Sequence, residues 1–490
     1  MATRQRRPAI ARIRAPRSAT GWAVLTCLAA FGLLCLHVLR QGYQQDTWLA
    51  LVAGREVATR GIPHHDALTV ISAGRSWVDA QWASQLAMYG MDRLLGLRLL
   101  GAVQVLFSVG SLAAAAALAR RLGASALAVL LMLPWAAFLL LEVGFEVRPQ
   151  TLAYPLFVAL LALLASDARA HASRVLWSLP LLALWGNVHG SAALAAALVM
   201  LRGVTLAWSE RHARAAGPVI RAAVLTVGAF GCLLVTPYGS ATLSYYDHTL
   251  LASTFHRYVS EWRPLTAAPK VAVPAFALMA AMLWTALRRP LRVPAWDRLA
   301  LLLTAGAAVL ALRNVVWFGL ATLALGSVWF APLLERSASA GAMVRVGMHR
   351  ALALGACTTL LAIAVLTVDH GDGWFSSRYP AAALAPIAAA TRHGRGDVFA
   401  DDRYADWLLW RIPALRGRVA YDARFELLHT SELASLAAFA RAATPGWPAP
   451  AAGYRVLVLD RRTSAAARFG RLPGERVLFR DRRTLVLLSG

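Results

Sequence analysis

Lysine is almost missing from this chain: Lys270 is the single one, and arginine supplies the rest of the 50 basic residues. Charge of either sign is scarce, at 15% of residues, and the acids number only 25. With 58% apolar residues and a mean hydropathy of +0.54, this excludes an ordinary soluble protein and indicates a multi-spanning membrane chain. A formal charge of +25 would suggest nucleic-acid binding in a soluble protein. Here the arginines set topology and meet anionic lipid, so nucleic acid is not an expected partner. Cysteine is nearly as scarce. Cys27, Cys35, Cys232 and Cys357 all lie in apolar runs, which excludes a disulfide framework and a thiolate metal site. No P-loop, G-x-G-x-x-G or G-x-S-x-G stands where a strand and helix would support it.

What is present is a succession of apolar runs of spanning length, and they predict about eleven transmembrane helices. The expected spans are 20–39, 97–119, 124–141, 151–165, a short pair within 175–208 hinged at Asn187-Val188-His189-Gly190, then 219–235 and 271–287. A second short pair, 299–312 and 315–334, is hinged at Arg313-Asn314, and 351–368 closes the series. Arginine-rich breaks alternate along the chain, which by the positive-inside rule puts the basic arm 1–19 in the cytoplasm and the C-terminus outside. The transmembrane domain is 20–368, with a long first outer loop at 40–96.

From residue 369 the character changes. Short segments at 397–400, 418–421, 454–459, 475–479 and 484–488 read as strands, with helices near 404–411 and 431–441. The expected fold is therefore a mainly α, polytopic membrane helical bundle followed by a small α/β domain over 369–490 on the periplasmic side.

The polar residues cluster in the outer breaks. In the first loop, Asp46 opens a segment, 48–59, whose apolar residues have helical spacing and suggest a helix lying on the membrane surface. A helix cap is the plainer reading of Asp46, stabilising by about 1 kcal/mol. His64, His65 and Asp66 form a polar turn with weak metal-ligand character, Trp77 and its neighbours suit an interface, and Asp79 can tie the loop down. The second loop supplies Glu142, Glu146 and Arg148; the guanidinium fits phosphate oxygens, or pairs with Glu146. His189 and Arg313 stand at the tips of the two short helix pairs, where ionisable groups are costly. His256, Arg257, Glu261 and Arg263 in a later loop add further candidates for contact with phosphate.

Asp46, then G-x-P with a following acid (Gly61, Pro63, Asp66), then Gly74 and Trp77, resembles the first outer loop of GT-C-type membrane glycosyltransferases. Arg148-Pro149-Gln150 and Asn187-Val188-His189-Gly190 are similar to motifs of a bacterial branch that ends in an outer α/β domain. That domain's motifs survive here only in outline, as residues 402–410 and Asp422-Ala423-Arg424. The resemblance implies a bacterial inner-membrane enzyme that transfers a sugar from a polyprenyl-phosphate donor in the bilayer to an envelope glycan, lipid or protein acceptor. It puts Asp46, Asp66 and Glu146 in the catalytic group, and Arg148, His189, Arg257 and Arg313 around the donor phosphate. His64, His65, Trp77 and Asp79 would contact acceptor or support the loop. Asp46 and Glu146 would hold a divalent cation, Mg²⁺ or Mn²⁺, where one is used. Thr47 stands where many such enzymes have a second acid. A non-catalytic component of an envelope assembly system is the alternative that the residues leave open.

Overall fold

A computed structural model describes residues 19–170, 173–212, 216–251, 257–288, 293–334, 370–392, 397–443, 445–470 and 475–489. The bundle consists of α1 (Ala19–Val38), α4 (Leu97–Arg121), α5 (Ala126–Gly144), α6 (Gln150–Ala170), α7 (Ser178–Val188), α8 (Ala192–Ser209) and α9 (Ala216–Leu233). It continues with α10 (Pro269–Arg288), α11 (Ala295–Leu310) and α12 (Val315–Ala321), the last running through a π-helical turn into Ser327–Leu334. Between α1 and α4 the first loop folds into α2 (Gln45–Arg60) and α3 (Trp82–Leu95).

Eight helices among the described residues are long and apolar enough to cross a membrane, and the chain is a multi-pass membrane protein. The short pairs form as expected: α7 and α8 break at His189, and α11 and α12 break at the turn Leu312–Asn314. The span expected at 351–368, the basic arm at 1–18 and His256 lie outside the described residues.

The terminal region builds a four-stranded sheet from β1 (Val398–Ala400), β2 (Val456–Asp460), β3 (Arg476–Arg480) and β4 (Thr484–Leu488), in the order β1-β2-β4-β3. β1 and β2 are parallel, and the other pairings are antiparallel. α13 (Asp402–Arg411) and α14 (Thr430–Arg441) complete the region. Residues 418–421 differ from expectation. Instead of a full strand, Val419 makes isolated bridges to Val398 on one side and to Thr69 of the first loop on the other. The segment lies between the turn Pro413–Leu415 and the short helical turn Phe425–Leu427, which leaves little room for a longer ladder.

That bridge shows how closely the two regions are joined. Val70 and Ile71 donate backbone hydrogen bonds to Val419 and Ala420, and Gly417 donates to Leu68. α2 was expected to lie on the membrane surface, but ten of its sixteen residues are buried because α3 and α13 cover it. Arg55 of α2 donates to the carbonyls of Leu409 and Trp410 at the end of α13, and Glu56 is paired with Arg416 at 2.9 Å. Trp48 meets Tyr379 edge-on, and Tyr379 stacks on Trp407. On its other side α2 crosses α3 at Gly54, where any Cβ would lie 2.1 Å from the Gln85 carbonyl oxygen. Only glycine fits that crossing.

Candidate functional site

Five breaks in the bundle converge at one end, and each is held by bonds its own sequence supplies. Thr47, the residue found in place of a second acid, donates its hydroxyl to the Val147 carbonyl at 2.6 Å and accepts from the Gln44 N–H at 3.3 Å. Val147 N–H in turn bonds to Gly42 O. These bonds lock the first turn of α2 onto the segment between α5 and α6. Asp46 and Arg148 are thereby brought together. The turn after α7 is pinned similarly: Trp82 Nε1 donates to Asn187 Oδ1, and Ser84 Oγ donates to Val188 O. Leu312 N–H bonds to Arg263 O, which sets Arg313 beside Glu261 and Trp262.

Arg148 is the hub of this arrangement. Its side chain is 3% exposed, and Nη1 faces Asp46 at 3.5 Å, Glu146 at 3.2 Å and Glu261 in a shorter contact. The three carboxylates are 38%, 22% and 30% exposed, and oxygens from all three lie within 4.8 Å of one another. One guanidinium cannot neutralise three carboxylates at this range. Burial first, and then the neighbouring Glu261, raise the Asp46 carboxyl above its ordinary value despite Arg148 and Arg313. Burial pushes Glu146 up to about 7. Glu261 is the exception: burial opposes its charge, but Arg148 and Arg313 outweigh burial and hold it below the usual range.

Beside the acids, Arg313 lies over the Trp262 ring at 4.6 Å, and its Nη2 is 3.4 Å from His189 Nε2. His189 Nδ1 is engaged by Ser191, through its hydroxyl at 2.8 Å and its N–H at 3.1 Å. Burial, reinforced by Arg313 and Arg148, keeps the imidazole well below its ordinary pKa, so it is neutral at pH 7. Acids and bases line a single cleft of about 430 Å³. Its roof comes from the terminal region, through Asp402, Ala423, Phe425 and Glu426.

Several expected site residues lie elsewhere. Asp66 is not in the cleft. Its oxygens accept from Leu68 N–H, the Thr69 and Ser72 hydroxyls, and Arg424 at 2.7 Å. Burial is outweighed by Arg424 and these donors, so Asp66 sits below the usual carboxylate range. With its oxygens committed and its side chain fully buried, it fastens the loop to the terminal region. Trp77 supports the same joint, with Arg424 stacked 4.3 Å from its ring. His64 and His65 are exposed on the turn, His64 packing against Tyr238. Neither belongs to a metal-competent cluster among the described residues. Asp79 is buried, accepts from Gln81 N–H, and is pushed by burial to about 7. Arg257 is exposed and packs on Tyr258 instead of lining the cleft. Arg148 reaches the cleft floor, but its guanidinium is committed to acids, leaving Arg313 as the better-placed cation for a phosphate.

The acid that the metal reading lacked is Glu261. It stands 113 positions from Arg148, and no spacing along the chain could have placed it there. An all-oxygen set of three clustered carboxylates fits a hard divalent cation.

The fold has known counterparts. The oligosaccharyltransferase of Archaeoglobus fulgidus, solved in the apo form, matches over 88% of this chain and 69% of its own, with a TM-score of 0.52 at 14% identity. ArnT from Cupriavidus metallidurans, solved bound to undecaprenyl phosphate, matches over 96% of this chain and 100% of its own, with a TM-score of 0.48 at 17% identity. No protein-family model and no curated protein matches the chain.

Proposed function

We propose that this chain, whose fold is that of the GT-C-type membrane glycosyltransferases, transfers a sugar from a polyprenyl-phosphate donor to an envelope acceptor at the periplasmic face of the inner membrane. The observation that carries the reading is the mixed charge of one cleft: three clustered carboxylates and the Arg313–His189 pair line it together, at the end of an apolar bundle. A lipid-linked substrate reaches such a site with its tail in the bilayer and its head group in the cleft.

In this mechanism the acceptor hydroxyl oxygen attacks the anomeric carbon, and its proton passes to Asp46. Simultaneously the bond from that carbon to the phosphate oxygen breaks, and its electron pair leaves with the lipid phosphate. Asp46 suits the base because its raised pKa strengthens its hold on a proton while the cleft still exposes it. Arg313 meets the charge that builds on the departing phosphate, where a preorganised cation is most effective. Neutral His189 offers that phosphate a hydrogen bond without adding charge. Arg148 keeps the three acids together. Asp46, Glu146 and Glu261 would also hold a divalent cation, whose charge would further stabilise the leaving group.

The test is transfer of radiolabelled sugar from a panel of polyprenyl-phosphate sugars to a native membrane extract, by the purified chain and by Asp46→Asn. Transfer that vanishes in the variant supports the reading. Absence of transfer from both folded proteins across the whole panel overturns it in favour of a non-catalytic assembly component.

A further inference from the structure

Gln150 is the first residue of α6 and lines the cleft from the segment that carries Glu146 and Arg148. It is 1% exposed, and neither its amide nitrogen nor its amide oxygen has a hydrogen-bond partner in the protein. Buried side-chain amides with both ends unmet are rare, because each unmet group carries its full desolvation cost. Gln104 of α4 provides the contrast. It is buried nearby, yet its Oε1 accepts from the Thr151 hydroxyl at 2.5 Å and its Nε2 donates to Ser108 at 3.4 Å. The glutamine facing the bundle is satisfied, and the one at the cleft is not.

The chemistry of an amide narrows what would satisfy it. A primary amide offers one acceptor and two donor hydrogens on adjacent atoms. A phosphate only accepts and an alkyl chain does neither, whereas two neighbouring ring hydroxyls donate and accept together. We infer that Gln150 selects the donor by reading a pair of adjacent hydroxyls on its sugar ring. This rests on the transferase reading, in which the sugar ring lies in the cleft that Gln150 lines with the acids and the Arg313–His189 pair.

The experiment compares equilibrium binding of a polyprenyl-phosphate hexose with that of bare polyprenyl phosphate, using the full chain in lipid nanodiscs. Wild type is expected to bind the sugar-bearing lipid about tenfold or more tightly than the bare lipid. Gln150→Leu should erase most of that preference, leave bare-lipid affinity unchanged and melt no lower than wild type, because an unmet polar group has been replaced by an apolar one. Gln150→Glu, which keeps acceptors but loses donors, should fall between the two. A sugar preference that survives in Gln150→Leu overturns the proposal. So does an equal weakening of both lipids, or a clear loss of melting temperature, either of which assigns Gln150 to packing. If wild type binds neither lipid, the transferase reading itself falls, an outcome distinct from the others.

Discussion

Two buried arginines each join an acid of the first loop to an acid of their own segment, and their surroundings set them apart. Arg424 meets Asp66 and Asp422, whose side chains are 0% and 3% exposed, and together they form a closed group at the joint with the terminal region. Arg148 meets Asp46, Glu146 and Glu261, which outnumber it and remain 22–38% exposed to a cleft. A closed, buried cluster fastens. A surplus of carboxylates bordering open space holds protonation states in suspense, and that is the condition for acid–base work.

Removing one acid from each cluster should have opposite consequences. Asp46→Asn is expected to lower the transfer rate by about 10²–10⁴-fold with little change in melting temperature, the range for loss of a general base. Asp66→Asn should do the reverse. Transfer per folded molecule stays near wild type while stability falls, and comparable activity losses in the two variants would sink the distinction. Arg424→Leu, which leaves Asp66 and Asp422 buried without their cation, should cost about 3–5 kcal/mol, read as early thermal release or proteolysis of the terminal region. Because Asp66 sits below its ordinary value, its contribution is complete at neutral pH and is lost only as pH falls through that lowered value.

A smaller effect concerns pH. With Asp46 raised and Glu146 near 7, the rate should climb with rising pH along a limb displaced upward from the carboxylate range. Glu261→Gln removes the like charge that helps raise Asp46, so the limb should move to lower pH; an unmoved limb would assign it to another group. The smallest expected effect is on stability with metal. Millimolar Mg²⁺ or Mn²⁺ should raise the melting temperature of wild type by a few degrees and that of Glu261→Gln by less, with the increment growing as pH rises and the acids lose protons.

The same comparison explains what the sequence could reveal. Helix length and apolar runs are local properties, so the spans that fall among the described residues and both hinges, at His189 and at Arg313, are legible in one dimension. Asp46 and Arg148 stand out because they flank those runs. Asp66 has the same residue type and the same loop as Asp46. Only its partner, Arg424, 358 positions further on, separates it from the acid that lines the cleft. Glu261 and the roof residues Asp402 and Glu426 become part of the cleft through contacts of that range. The surface helix expected at 48–59 has the right periodicity, but periodicity cannot say whether lipid or protein covers its apolar face.

α2 carries Asp46 in its first turn and, nine and ten residues on, the Arg55 and Glu56 that grip the terminal region. At 1.5 Å per residue the two ends are about 15 Å apart on one rigid rod. Gly54 fixes where that rod crosses α3. The terminal region therefore cannot drift in evolution as an independent appendage. A substitution that reshapes its grip on the rod changes the aim of the acid at the other end, and compensating changes must be sought on α2 itself.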